Sequence, residues 1–421
     1  MRAAGMNCNS SCVRHILNKQ NRLRMKPIQT LRAAVLLLSL SACSWSAVSQ
    51  VALTVVSSTN ITSGNLQISG HYLYFANDSG SFSICDISDP THPTIVGQAP
   101  SSPYTAYGLA VSSQYAYLVS DAGLKIYDVS TPNNPVLIGS TNLTGAPRSI
   151  FVSNNIAYIS GPGLSVYDVS DPANPTKIGQ TSSGSGYYGV IVGNNAFLTL
   201  PNSGTTLFVY DITTPSAPTK IYTSGGGYIW GVAVSGDFLF AASEFAYGNS
   251  GAHSGLLTLN ISNPANPVVV NSASNSLGAG ARVVVAGKYV YLADYLGGGA
   301  LGSGTLKVYD ISNPTNLVFA GQISGIGQAF GLAVSDNHVY MSTRTGFLVI
   351  AIIPQLTINH AGVSNIRLSW PMTGPFSLQQ ITDLSAGNWT TLTNTPTEVG
   401  ARGQVLLLNP SSNTYFRLVS Q

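Results

Sequence analysis

Leu124-Lys125-Ile126-Tyr127-Asp128-Val129-Ser130-Thr131-Pro132 reads as a β-strand that runs straight into a turn. The closing phrase recurs five more times, at Asp86–Pro90, Asp168–Pro172, Asp211–Pro215, Asn260–Pro264 and Asp310–Pro314. Successive copies start 42, 40, 43, 49 and 50 residues apart. Short strands at this period are the spacing of β-propeller blades. Each copy follows a β-rich run such as Phe82–Cys85, Leu164–Tyr167 or Leu306–Tyr309. Asp or Asn at a turn start accepts hydrogen bonds from the backbone N–H groups just ahead, and Pro fixes φ where the ladder stops. The phrase carboxylates therefore read as turn-builders, not catalysts.

Two more strands precede each phrase, as in Leu109–Val111 and Tyr115–Val119, split by the polar corner Ser112-Ser113. Each unit thus holds four strands, the content of one blade. A seventh unit, Leu332–Val334, Val339–Met341 and Phe347–Ile353, lacks the phrase and a fourth strand. The apolar run Val51–Ser57 is expected to supply it, pairing beside Phe347–Ile353 and removing the exposed edges. The expected fold is all-β: a seven-bladed propeller over residues 50–353, closed by strand 51–57, followed by a small β-sandwich over 354–421.

The run from Tyr115 to Val136, with its phrase Asp128–Pro132, resembles the LVIVD repeat of bacterial and archaeal extracellular and surface proteins. The resemblance covers about residues 58–353 and implies a propeller. It carries over no catalytic residues. Blade four departs with Thr213-Thr214, and blade five has Asn260 in place of Asp.

Residues 1–49 carry seven Lys and Arg, no Asp or Glu, and the apolar run Ala33–Leu40 before small residues. That pattern reads as a secretory leader, with Met25 the more ordinary start. Two cleavage readings stay open. Leu40-Ser41-Ala42-Cys43 resembles a lipobox in which Cys43 is lipidated, anchoring the protein at a membrane. Ala47-Val48-Ser49 would instead release a soluble, secreted chain from Gln50. Without the leader, 11 of the 18 basic residues face 15 acids, so the net charge falls from +3 to −4. The basic stripe that nucleic-acid binding requires is then absent. Of four cysteines only Cys85 lies in the body, so no disulfide framework is expected.

After Pro354 the pattern changes. Leu356–Ile358, Ile366–Pro371, Phe376–Gln380, Trp389–Leu392, Val405–Leu408 and Tyr415–Leu418 read as five or six short strands. This stretch resembles a C-terminal module of secreted proteins from Verrucomicrobia-type bacteria, which implies a spacer or attachment role.

Few groups remain for chemistry. Five of the acids start turn phrases, Asp89 and Asp171 lie within them, and Asp383 and Glu398 belong to the C-terminal stretch. A glycosidase needs a close carboxylate pair, and Glu244 with Asp294, aided by His253, is the one candidate. No histidine or cysteine spacing suits a metal, no G-x-S-x-G elbow is present, and Gly297-Gly298-Gly299 adjoins no Lys. No cofactor is expected.

Aligning the seven units two residues before the first apolar residue of strand one gives Gly64, Tyr107, Arg148, Tyr188, Trp230, Ala281 and Phe330, with Arg282 beside Ala281. In a propeller this column rings one mouth of the channel, and the loops joining strands two and three share that face. The longer loops of blades five and six would add Glu244, Tyr247, His253 and Tyr295. Aromatic faces and guanidinium groups hold sugars and peptides. Two plainer readings stand beside this one: the large residues plug the channel, and the neighbouring glycines only permit tight strand packing. The expected function is a non-catalytic extracellular scaffold that binds carbohydrate or peptide. A polysaccharide-acting enzyme using the same face and a purely structural surface component are the alternatives.

Overall fold

The computed structural model describes residues 51–420, except 60–63, 78–79, 102, 182–185, 201–204, 226–228, 244–254, 275–281, 294–303, 344–345, 355, 362–364, 372–375, 383–387, 400–401, 409 and 411–413. Among the described residues every regular element is a strand. The expected leader and Cys43 lie outside them.

Seven four-stranded antiparallel sheets form the body. Blade two is representative: Ala106–Ser112, Tyr115–Ser120, Gly123–Asp128 and Val136–Thr141 pair in chain order. The inner strands are Leu66–Ser69, Ala106–Ser112, Ser149–Ser153, Tyr188–Val192, Ile229–Ser235, Arg282–Ala286 and Gly331–Ser335. Each packs beside the next, and the last packs beside the first, so the ring is closed. In the seventh sheet Val51–Thr59 pairs with Gly346–Pro354, Val51 opposite Pro354 and Leu53 opposite Ile352, as expected from the missing fourth strand.

The turn phrases are built as the sequence requires. Asp86, Asp128, Asp168, Asp211 and Asp310 each accept the N–H two residues on at 2.8 Å through Oδ1, and Asn260 does so at 2.9 Å. The second position repeats the device: Asp89 accepts from Thr91 N–H at 2.9 Å and Asp171 from Ala173 N–H at 3.1 Å. The intervening Ile or Val is buried in every copy.

Neighbouring blades touch at the same turns. A Cβ placed on Gly97, Gly139 or Gly179 would run into the carbonyl oxygen of Pro132, Pro172 or Pro215, the phrase proline of the following blade. Blade five has Asn271 at this place, and its Nδ2 donates to the Thr315 carbonyl of blade six at 2.9 Å. In blade six, Gly321 meets the Val51 carbonyl of the closing strand.

Apolar clusters fill the spaces between blades. One joins Tyr117, Val119, Leu124 and Ile126 of blade two to Ile150, Ala157 and Ile159 of blade three. Another joins Val51 to Val308, Ala320 and Met341 across blades six and seven. Cys85 is buried as a free thiol among such residues, and burial pushes it up to about 12, so it stays protonated and unreactive.

Residues 357–420 form two further antiparallel sheets. The strands Thr357–His360, Ile366–Pro371, Arg402–Leu407 and Thr397–Val399 make one. Phe376–Ile381 makes the other with Thr390–Thr391 and Tyr415–Ser420. Both contribute to a single cluster around Leu368, Trp370, Leu378 and Val405. Among the described residues seven strands are present here, where five or six were expected. The extra one is Thr397–Val399, whose three residues beside Pro396 and with Glu398 at their centre carry no apolar alternation, and the run at Trp389–Leu392 pairs through Thr390 and Thr391.

Two outcomes test this account. Gly139→Ala forces a methyl group into a backbone carbonyl and should cost about 1–3 kcal/mol, lowering Tm by about 3–8 °C. Gly225→Ala, where nothing lies within 4 Å of the added Cβ, should leave Tm nearly unchanged in the same calorimetric scan. The second outcome concerns pH. Hydrogen bonds from Ser88, Ser130, Ser170 and Thr213 hold Asp86, Asp128, Asp168 and Asp211 below their ordinary values, and those from Thr91 and then His92 hold Asp89 at about 2. A carboxyl depressed on folding adds stability above its unfolded value of about 3.9, and loses it as pH falls through the folded value. Tm should therefore fall between about pH 4 and pH 2. Combining Asp86→Asn, Asp128→Asn, Asp168→Asn and Asp211→Asn keeps the acceptor oxygen, as Asn260 does, and should shrink that fall.

Candidate functional site

The inner strands enclose a channel of about 600 Å³ lined by residues of blades one to six, among them Asn65, Gln67, Ile150, Tyr188, Gly231 and Arg282. One mouth lies where the inner strands begin. Blade two shows which loops share that face, because Tyr107 Oη donates to Asp121 Oδ2, in the loop between strands two and three, at 3.0 Å. That bond, with burial and the carboxylate's charge, raises the Tyr107 phenol against the opposing charge of Arg148.

Local backbone irregularity sets two of the ring residues. The ladder of blade two slips between Ala106 and Gly108, at Tyr107. That of blade five slips between Ile229 and Val232, at Trp230 and Gly231. Bulges of this kind re-aim a side chain out of the pleat. Two glycines beside the ring sit where strands approach closely. A Cβ on Gly108 would lie 2.9 Å from Ser149 Cα of the next blade, and one on Gly331 would strike the Gly64 carbonyl of blade one.

Arg148 and Arg282 dominate the mouth. Arg148 Cζ stands 4.6 Å from the ring centroid of Tyr187 and 5.5 Å from that of Tyr107. Arg282 Cζ stands 4.2 Å from the ring centroid of Tyr188. Its Nη2 donates to Tyr188 Oη at 2.8 Å and its Nε to the Phe330 carbonyl at 2.7 Å. Arg282 therefore ties blade six to blade four, passing blade five, and to blade seven. Its Nη1 is buried without a hydrogen-bond partner among the described residues. The rings of Tyr187 and Tyr188 lie 6.4 Å apart and join the two stacks.

Tyr107, Arg148, Tyr188, Trp230, Arg282 and Phe330 thus all stand at this mouth, each partly buried. Phe330 takes part through its carbonyl, and Trp230 accepts a hydrogen bond from Thr199 Oγ1 at 3.4 Å through its own. Glu244, Tyr247, His253, Asp294 and Tyr295 lie outside the described residues. Tyr187 and Asp121 were not foreseen as site residues. The doublet Tyr187-Tyr188 was the available signal, hidden because the alignment took one residue per blade.

The opposite face is occupied by turn chemistry. Lys288 Nζ pairs with Asp310 Oδ2 at 3.2 Å. Among the described residues, no group of three or more His, Cys, Asp or Glu is placed to hold a metal ion.

The family model for the LVIVD repeat matches residues 62–99, 105–143, 144–182, 226–274 and 278–324. The chain belongs to the LVIVD-repeat family. The LVIVD match passes over blade four, whose Thr213-Thr214 phrase and Tyr222, in place of the outer-strand glycine, depart from the pattern. No curated protein matches the sequence. Among solved structures the chain is similar to the β-propeller domain of Myceliophteria thermophila Cps50 (Swd1), with 10% identity, a TM-score of 0.56, and coverage of 71% of this chain and 99% of that one. The WD40 domain of Neurospora crassa Pan2 follows at 13% identity and a TM-score of 0.55, covering 72% and 96%. BamB from Moraxella catarrhalis is 13% identical with a TM-score of 0.50, covering 73% and 100%. Likeness at this level of identity is a statement about the propeller fold alone.

A stability comparison separates packing from recognition at Arg282. A partly buried cation without a counter-ion adds little to folding. Arg282→Met should therefore hold Tm within about 2 °C of the parent. Tyr188→Ala strips a ring and a hydrogen-bond acceptor from a charge that remains, and should lower Tm by about 3–6 °C. A fall in Arg282→Met as large as that in Tyr188→Ala would make the guanidinium a packing element.

Proposed function

We propose that this LVIVD protein is a non-catalytic binding scaffold, exported to the cell exterior or surface, that recognises an extracellular carbohydrate or peptide at the channel mouth. The observation that carries the reading is the channel of about 600 Å³ whose rim gathers Tyr107, Arg148, Tyr187, Tyr188, Trp230 and Arg282 from five blades. Concave sites with a few convergent polar groups among rings are where ligands bind. The carboxylates add support, because the phrase acids are engaged with backbone N–H groups and Asp121 with Tyr107. The two-sheet unit at residues 357–420 would act as a spacer or attachment module, and the leader would direct export. If Cys43 is lipidated, the same scaffold would be held at a membrane.

The test is binding of the purified chain to a panel of bacterial and plant polysaccharides and peptides, with product release followed in the same wells. One ligand should bind saturably without cleavage, and Trp230→Ala should weaken it at least tenfold, a loss of about 1.4 kcal/mol. Cleavage of a polysaccharide would replace the scaffold reading with an enzyme. Absence of binding by the parent protein would leave the ring of side chains as packing.

A further inference from the structure

We infer that the ligand is acidic, a polysaccharide bearing carboxylate groups such as uronic acids, taken up between Arg148 and Arg282; the inference rests on the binding role proposed above. Charged residues make up only 8% of this chain, yet two arginines converge on one channel mouth. Among the described residues neither has an ion-pair partner. Asp121, an acid that the described residues place on this face, bonds to Tyr107. Lys288 on the other face shows the ordinary arrangement, paired with Asp310 at 3.2 Å.

Both guanidinium groups are held ready. Stacking on a ring occupies the flat face of a guanidinium and leaves its in-plane N–H donors for a ligand. Arg148 is positioned in this way by Tyr107 and Tyr187, and Arg282 by Tyr188. The Nε and Nη2 bonds of Arg282 fix its plane, while Nη1 has no partner among the described residues. A buried donor left unpaired is costly, and a carboxylate bonded through the Nη1–Nη2 edge would relieve that cost in the forked geometry Arg favours.

The surroundings favour a sugar as the carrier. Inner strands are sheet edges, so backbone N–H and C=O groups face the channel in alternation, beside the amides of Asn65, Gln67 and Asn194. Alternating donors and acceptors match hydroxyl groups, which are both. Tyr107, Tyr187 and Tyr188 add ring edges and faces for the C–H surface of a pyranose.

The experiment measures binding of the full chain to polygalacturonate, neutral dextran and poly-glutamate by calorimetry. Polygalacturonate should bind at least ten times more weakly to Arg148→Gln and to Arg282→Gln, and more weakly as salt rises from about 50 to 300 mM. Arg282→Lys, which keeps the charge but loses the fork, should resemble Arg282→Gln. Lys177→Gln, an equal charge loss on an outer strand, should bind as the parent does, and thermal melts of every variant establish that each is folded. Dextran bound as tightly as polygalacturonate would overturn the acidic ligand while leaving the mouth as a recognition site. Preference for poly-glutamate would overturn the sugar. Failure of the parent to bind any member of this set or of the wider panel would overturn the binding role itself.

Discussion

Everything in this propeller depends on joining the two ends of the ring. Val51–Thr59 lies some 290 residues before its partner strand Gly346–Pro354, yet the two form one ladder. The junction is reinforced on both sides. The Val51 carbonyl sits against Gly321 of blade six, and Ser342 Oγ of blade seven donates to the Gly64 carbonyl of blade one at 2.8 Å. Were the ring left open, Gly346–Pro354 would present an unpaired apolar edge, a template for aggregation. Closure makes every blade interface equivalent in kind, so no single blade must be stable alone.

Within the ring, the turn phrase does two jobs at once. Its first Asp or Asn satisfies a backbone N–H, which ends the third strand, and its Pro carbonyl receives the glycine of the preceding blade's outer strand. At Gly97, Gly139 and Gly179 the contact is too close for a Cβ, and in blade five an amide takes over: Asn271 reaches the Thr315 carbonyl. Using the phrase in this way has a functional consequence. Its carboxylates, five of the fifteen acids in the chain, are tied to structure on one face, while the described part of the other face carries Asp121 beside Arg and aromatic side chains. The polarity of the molecule is thus a by-product of how its blades are joined.

At the mouth the described residues bring together two arginines and one acid, Asp121. Bulges at Tyr107 and at Trp230–Gly231 turn side chains out of the pleat, and stacked rings hold two guanidinium groups in place. Arg282 reaches past blade five, so part of the rim is spanned by a side chain while the channel beneath keeps its volume.

The repeated phrase, the four strands of each unit and the missing strand supplied by Val51–Ser57 were legible in the sequence, because turn chemistry and period-two patterning act over a few residues and repeat. The column Tyr107, Arg148, Tyr188, Trp230 and Phe330 was legible for the same reason, since a repeat places equivalent positions on one face. What only the tertiary structure decided is which of these side chains meet. No local pattern says that Arg282 will lie on Tyr188, 94 residues away and two blades along, or that Tyr187 rather than Tyr188 will stack on Arg148. Those pairings follow from the curvature of the closed ring, which brings long side chains from non-adjacent blades within reach across its centre. Strand patterns are set by neighbours along the chain; the site is set by distances across the channel, and these exist only after closure.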